Sequence, residues 1–144
     1  MHAEGLTLIG ELGLAGIREA GWTADAVGGM TLGADPVAYA IALASSAHPP
    51  AINGFTVRKA AKDHGTLRRI EGCFDSGASV VVVEDVITTG GSALSAIEAV
   101  RAEGGRVTGV IAVVDRGEGG REAIEKAGVR VRALVLASEL LAAR

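Results

Sequence analysis

Four consecutive valines, Val80–Val83, run without a polar break into Glu84-Asp85 and then into Thr88-Thr89-Gly90-Gly91-Ser92. A strand wetted on one side alternates apolar and polar residues. An unbroken apolar run needs cover on both faces, as in a parallel strand between layers of helices. Ser79–Val86 is therefore expected to be a central strand. The chain after it keeps the same rhythm. Gly91–Glu103 carries Ala93, Ala96, Ile97 and Val100 on one helical stripe. Val107–Val114 is a second continuous apolar run, Gly119–Ala127 a short helix, and Val129–Leu136 a last strand. This alternation predicts an α/β protein with a doubly wound, mostly parallel sheet and helices on both faces.

The first half is less regular. Ala3–Ala20 places Leu6, Ile9, Leu12 and Ile17 near helical spacing, and Gly21 supplies a stop. Asp25–Met30 is a short apolar run. Asp35-Pro36 predicts a helix start, with Asp as N-cap and Pro at the first position, running to Ser45 before His48-Pro49-Pro50 ends it. Ile52–Val57 reads as a strand, and Arg58–Gly77 as a long polar loop closing in a hairpin. Trp22 and Tyr39 lie in or beside apolar stretches and are expected in the core. No repeat or linker interrupts the chain, and 144 residues suit one domain, 1–144. With 3% aromatic residues against 49% hydrophobic, the core must be built from Val, Ile, Leu and Ala.

Several function classes are disfavoured. A net charge of −3 gives no global electrostatic ground for nucleic-acid binding. Cys73 is the sole cysteine, and His2, His48 and His64 are scattered, so no metal motif forms from these types. No apolar run reaches the ~18 residues of a membrane span, and the N-terminus has no signal-peptide pattern. A cytoplasmic protein is expected.

The loop after the central strand suits an anion. Its glycines let backbone amides turn inward, the first helical N–H groups point at the same spot, and three hydroxyls add donors. It has neither Walker A spacing nor a dinucleotide fingerprint. Glu84 and Asp85 beside an anion site are at odds with it unless the ligand also brings hydroxyls or a cation. A sugar phosphate does both: carboxylates accept from its hydroxyls, or meet a phosphate-borne Mg²⁺. The bland alternative is a capped strand-to-helix turn with solvated acids. A second cluster, Arg58, Lys59, Lys62 and His64, gathers four basic groups within seven residues ending at Gly65. It suits a lid over an anionic leaving group, or is simply a solvated basic loop. Thr31–Pro36 offers backbone amides, or a helix-capping turn. Arg116, after an apolar strand, could hold a planar anionic base, or pair with Glu118 or Glu122.

VVVVEDVITTGGSA (Val80–Ala93) resembles the phosphoribosyl-pyrophosphate (PRPP) motif of type I phosphoribosyltransferases. With VRKAAKDHG (Val57–Gly65), RRIEG (Arg68–Gly72) and VVDRGEGG (Val113–Gly120), the chain is similar to the orotate phosphoribosyltransferase family from about Gly5 to Leu141. The resemblance implies transfer of a phosphoribosyl group from PRPP to orotate, giving orotidine 5′-monophosphate and pyrophosphate on the route to UMP. It implies that Arg58, Lys59, Lys62, His64, Glu84, Asp85, Val86, Ile87, Thr88, Thr89, Gly90, Gly91 and Ser92 bind PRPP. Thr88 and Arg116 would bind orotate, and Lys62, His64 and Asp85 would be catalytic. Mg²⁺ would arrive on PRPP, with Asp85 a candidate contact and no direct protein-only metal site. A homodimer sharing loop 58–65 across its interface is implied as well.

Two departures stand beside the match. Many members of the family carry a lysine near the position of Gly33, so only a backbone role transfers to Thr31–Pro36. A base-binding hood precedes the segment matching EGLTLIGELG in family members, and its Ser-Gly-x-x-Ser-x-Tyr-Tyr-like motif is not present here. A catalytically impaired or regulatory PRPP-binding module is the alternative this raises. A transferase for another base is a third reading, which RKAAKDHG and Arg116 argue against.

Overall fold

The computed structural model describes residues 2–60 and 68–143. Its elements are α1 (Ala3–Glu19), β1 (Ala26–Met30), α2 (Ala34–Ala47), β2 (Asn53–Val57), β3 (Ile70–Gly72), β4 (Ser79–Ile87), α3 (Gly91–Ala102), β5 (Arg106–Asp115), α4 (Gly120–Lys126), β6 (Val131–Leu136) and α5 (Ala137–Ala142). The strands form one sheet in the order β3-β2-β1-β4-β5-β6. Every neighbouring pair is parallel except β2 with β3, which is antiparallel. This is the doubly wound α/β fold expected from the sequence.

β4 divides the core by parity. Alternate residues of a strand point to opposite faces. Val80 and Val82 pack with Ala96, Ile97 and Val100 of α3 and Ile124 of α4. Val81 and Val83 pack with Leu14 and Ile17 of α1 and with Val37, Ala38 and Ile41 of α2. All four valines are fully buried, which is why none can be exchanged for a polar residue.

Strand order reverses between β1 and β4, the place where sheets of this type open a crevice at the carboxyl ends of their strands. Pairing between these two strands stops at Gly28↔Val82. β4 continues to Ile87 with β5 alone beside it. Past Val82, β4 thus has no paired strand on its β1 side.

Several local expectations are corrected. α2 begins at Ala34 with Gly33 at the cap, and Asp35 does not cap it. Asp35 instead accepts hydrogen bonds from Thr31 Oγ1 at 2.7 Å and Thr56 Oγ1 at 3.0 Å. Trp22 is buried as expected, but Tyr39 is half-exposed, its hydroxyl 2.6 Å from Thr56 Oγ1. The 58–77 stretch contains β3, whose pairing with β2 makes the expected hairpin. α5 has no counterpart in the sequence reading.

The predicted stripe of α1 is only in part its packing face: Ile17 is buried and Ile9 packs against the core. Leu12 is exposed, while Gly10, Gly13, Leu14, Gly16 and Ile17 are buried. The glycines let α1 lie almost in backbone contact with α2. A Cβ on Gly10 would stand 2.5 Å from the Ala40 carbonyl oxygen, and one on Gly13 would stand 2.6 Å from Ile41 Cδ1. Alanine at Gly10 would raise helix propensity by about 1 kcal/mol. Against that, the Ala40 carbonyl cannot rotate away, and such overpacking costs about 1–3 kcal/mol. Gly10→Ala is therefore expected to lower the melting temperature in a calorimetric scan. A rise would mean that the two helices do not approach this closely.

Candidate functional site

β4, the turn 88–90 and the start of α3 enclose a cavity of about 330 Å³ lined by Glu84 and residues 86–92. The turn is possible because Gly90 adopts φ +84° in the left-handed region, which other residues reach only at a cost. Gly90 is also the N-cap of α3, and no side chain caps the helix. The first N–H groups of a helix have no partner within it, so those of α3 are available to an anion. Thr88, Thr89 and Ser92 bring hydroxyls to the same wall.

The two acids go separate ways. Glu84 continues the Val80–Val82 face, is buried, and lines the cavity. Its Oε1 is buried without a hydrogen-bond partner among the described residues. Burial, and next the neighbouring charge of Asp85, push the Glu84 carboxyl up to about 8. At neutral pH it is mostly the neutral acid, able to donate one hydrogen bond and accept others. Asp85 falls on the opposite face and is exposed. Its Oδ1 accepts from the Val86 N–H at 2.9 Å. Its Oδ2 faces Gly33 across the crevice, where a Cβ would stand only 2.7 Å away. The turn 31–33 and Asp85 thus meet from the two sides of the switch point. Sequence reasoning missed what braces that turn, the Thr31–Asp35–Thr56–Tyr39 chain of hydrogen bonds. Four-residue spacing of Thr31 and Asp35 was the available signal, but Asp35-Pro36 read more simply as a cap.

Arg116 follows β5. Its backbone N–H donates to the Ile87 carbonyl at 3.0 Å, which sets it beside the end of β4. Its guanidinium pairs with Glu118 at 2.7 Å. The 115–120 turn and the 88–90 turn touch through glycines. A Cβ on Gly120 would stand 2.5 Å from the Thr88 carbonyl oxygen, and one on Gly90 would stand 2.9 Å from the Gly120 carbonyl oxygen.

The basic cluster is described in part. Arg58 follows β2, donates its backbone N–H to the Arg69 carbonyl at 2.8 Å, accepts from Arg69 Nε at its own carbonyl, and pairs with Glu71 at 3.1 Å. Lys59 is exposed. Lys62 and His64 lie outside the described residues. Arg69, unforeseen in the sequence, anchors the far side of this segment by donating to Ser95 Oγ of α3 at 2.9 Å. A separate cavity of about 370 Å³ between α1 and α2, lined by Leu6, Tyr39, Ala40 and Leu43 among others, is mainly apolar. Among the described residues, no three His, Cys, Asp or Glu side chains converge on a metal site. No described helix is long and apolar enough to cross a membrane.

Comparison with known proteins agrees with this geometry. Residues 75–140 match the phosphoribosyl transferase domain family. The chain is 52% identical over 138 residues to the orotate phosphoribosyltransferase of Aquifex aeolicus, covering 96% of this chain and 74% of that protein. The crystal structure of Mycobacterium tuberculosis orotate phosphoribosyltransferase in complex with PRPP superposes with a TM-score of 0.81 at 45% identity. That match covers 96% of this chain and 77% of that one. The same enzyme in complex with inorganic phosphate gives a TM-score of 0.84 at 46% identity, over 97% of this chain and 75% of that one.

Burial of Glu84 has a pH signature. Its carboxyl titrates near 8 when folded and near 4.5 when unfolded. Between those values the folded state holds more protons, so this group's contribution to stability is full below about 4.5 and is lost as pH rises through about 8. Glu84→Gln removes that dependence. The melting temperature of Glu84→Gln relative to the parent is expected to be higher at pH 8.5 than at pH 5. An offset that does not change with pH would place Glu84 in the ordinary carboxylate range.

Proposed function

The chain belongs to the orotate phosphoribosyltransferase family, and on that footing we propose that its β4 cavity seats PRPP while Arg116 and Thr88 hold orotate. The reaction is transfer of the phosphoribosyl group to orotate, giving orotidine 5′-monophosphate and pyrophosphate in UMP biosynthesis. One observation supports the placement above the rest. Glu84, buried and with an unpartnered oxygen, opens on the same cavity as an uncapped helix start with its glycine turn. A polar atom buried without a partner is costly, and a ribose hydroxyl would relieve it.

In this reading residues 88–92 hold the 5-phosphate through backbone amides and hydroxyls. Glu84 meets the ribose from the α3 side and Asp85 from the crevice side. Backbone amides of Thr31–Gly33, with Arg58, Lys59, Lys62 and His64, face the pyrophosphate. The reacting base nitrogen attacks the anomeric carbon as pyrophosphate leaves. Positive charge builds on the ribose, as in glycosyl transfer generally, and negative charge on the leaving group. Fixed cations and oriented amides stabilise that separation without a covalent intermediate. Lys62 or His64 supplies a proton to the departing pyrophosphate.

The residues present fit Mg²⁺ carried by PRPP. Asp85 is exposed beside the 31–33 turn, and Mg²⁺ is commonly held by one or two carboxylates together with substrate phosphates and water. When bound, the ion neutralises pyrophosphate charge. We further read residues 1–144 as one domain acting as a cytoplasmic homodimer, with loop 58–65 shared between subunits.

Titrating PRPP with Mg²⁺ by calorimetry, then adding orotate and following its absorbance, tests the reading. Binding followed by turnover is expected, and absence of PRPP binding would remove the site. Lys62→Ala is expected to lower kcat by ~10²-fold while PRPP affinity changes little; turnover within about threefold of the parent would take the loop out of catalysis. Asp85→Asn is expected to weaken PRPP binding by about tenfold, or ~1.4 kcal/mol. Unchanged affinity with Mg²⁺ present would release Asp85 from the ribose and metal side.

A further inference from the structure

We propose that the ion pair between buried Asp115 and partly exposed Arg121 is the positioning device of the base side of the site, fixing where Arg116 stands against the phosphate turn. The inference rests on Arg116 facing orotate, as read above.

Asp115 ends β5 and is 5% exposed. A carboxylate in that setting is retained only if its oxygens are satisfied, and both are. Oδ1 accepts the Gly117 N–H at 2.9 Å, and Oδ2 accepts Arg121 Nε at 3.1 Å. The first bond is an Asx-type turn that closes over Arg116, and Gly117 takes φ +71° to complete it. On the other side the Arg116 N–H is tied to the Ile87 carbonyl of β4. The backbone of Arg116 is thus held from both ends.

Arg121 carries the restraint further. It sits in the first turn of α4, next to Gly120, whose backbone packs on Thr88 and Gly90. Its Nη1 also donates to the Val131 carbonyl of β6 at 3.3 Å. One guanidinium therefore joins β5, β6 and α4, and closes residues 115–121 into a loop. Within that loop Arg116 and Glu118 are the other charged side chains, paired at 2.7 Å and largely exposed. Among the described residues neither bonds to Asp115, and Arg121 is the cation that compensates it. Arg121 is not among the residues lining the cavity; its influence on the base passes through Arg116.

Arg121→Lys tests this. Lysine keeps a cation opposite Asp115 but lacks the planar fork that serves Asp115 and Val131 together. At saturating PRPP, KM for orotate is expected to rise roughly tenfold, since small misplacements near reacting groups carry costs of that order or more. PRPP affinity and kcat should stay within about threefold. Asp115→Asn, isosteric and still able to accept from Gly117, is the second variant and should move KM the same way. In an Arg116→Ala background, Arg121→Lys should add less than about twofold. If Arg116→Ala raises KM while both Arg121→Lys and Asp115→Asn leave it unchanged, the positioning role falls and the reading of Arg116 stands. If PRPP affinity and orotate KM worsen together in the two variants, the pair is merely structural and the proposal falls. If Arg116→Ala leaves KM unchanged, the reading of Arg116 is overturned, and this proposal with it.

Discussion

The parity of β4 governs the site. A strand buried on both faces must send successive residues to opposite sides, so the two acids that follow four valines cannot share an environment. Glu84 inherits the face packed by α3, and Asp85 the face of α1 and α2 at the crevice. One carboxyl is buried and held neutral; the other is exposed beside Gly33. Two adjacent residues of the same chemical type are thereby placed in different surroundings by backbone geometry alone. Divergent environments of this kind are how paired carboxyls take on separate roles.

Backbone proximity is the second ingredient. Pairing of β1 with β4 ends at Gly28↔Val82, which opens the switch point. The walls of the opening are then brought close by residues without side chains. Gly33 admits Asp85, and Gly120 admits the Thr88–Gly90 turn. A glycine content about twice the usual share of roughly 7% has here a specific use: it removes Cβ atoms where main chains must nearly touch.

Much of this was legible in the sequence because burial leaves a pattern. The unbroken valines announce a parallel central strand, the stripe Ala93–Ala96–Ile97–Val100 is the buried face of α3, and Thr-Thr-Gly-Gly-Ser is the cavity wall. What was not legible depended on partners distant in the chain. Asp35 before Pro36 has the form of a helix cap, yet Thr56 lies across the sheet and recruits it. Of the stripe read on α1, Ile17 is buried but Leu12 is exposed, and glycines take much of the packing face because α2 lies so near. Arg121 drew no reading from the sequence, since nothing local shows that Asp115 would be buried beside it. Tyr39 was placed in the core by its apolar neighbours, whereas its hydroxyl reaches Thr56 at the surface.

The glycine contact between the 88–90 and 115–120 turns has a consequence for molecular measurement. With main chain resting on main chain, the two turns behave as the jaws of a calliper set to one opening. In the proposed reading, the spacing between the phosphate turn and the backbone of Arg116 is then set by main chain, and only the Arg116 side chain adjusts to the base. Such a site gauges the length of a nucleotide as well as its groups. A ligand with the right base and phosphate but the wrong sugar geometry would fit one jaw at a time.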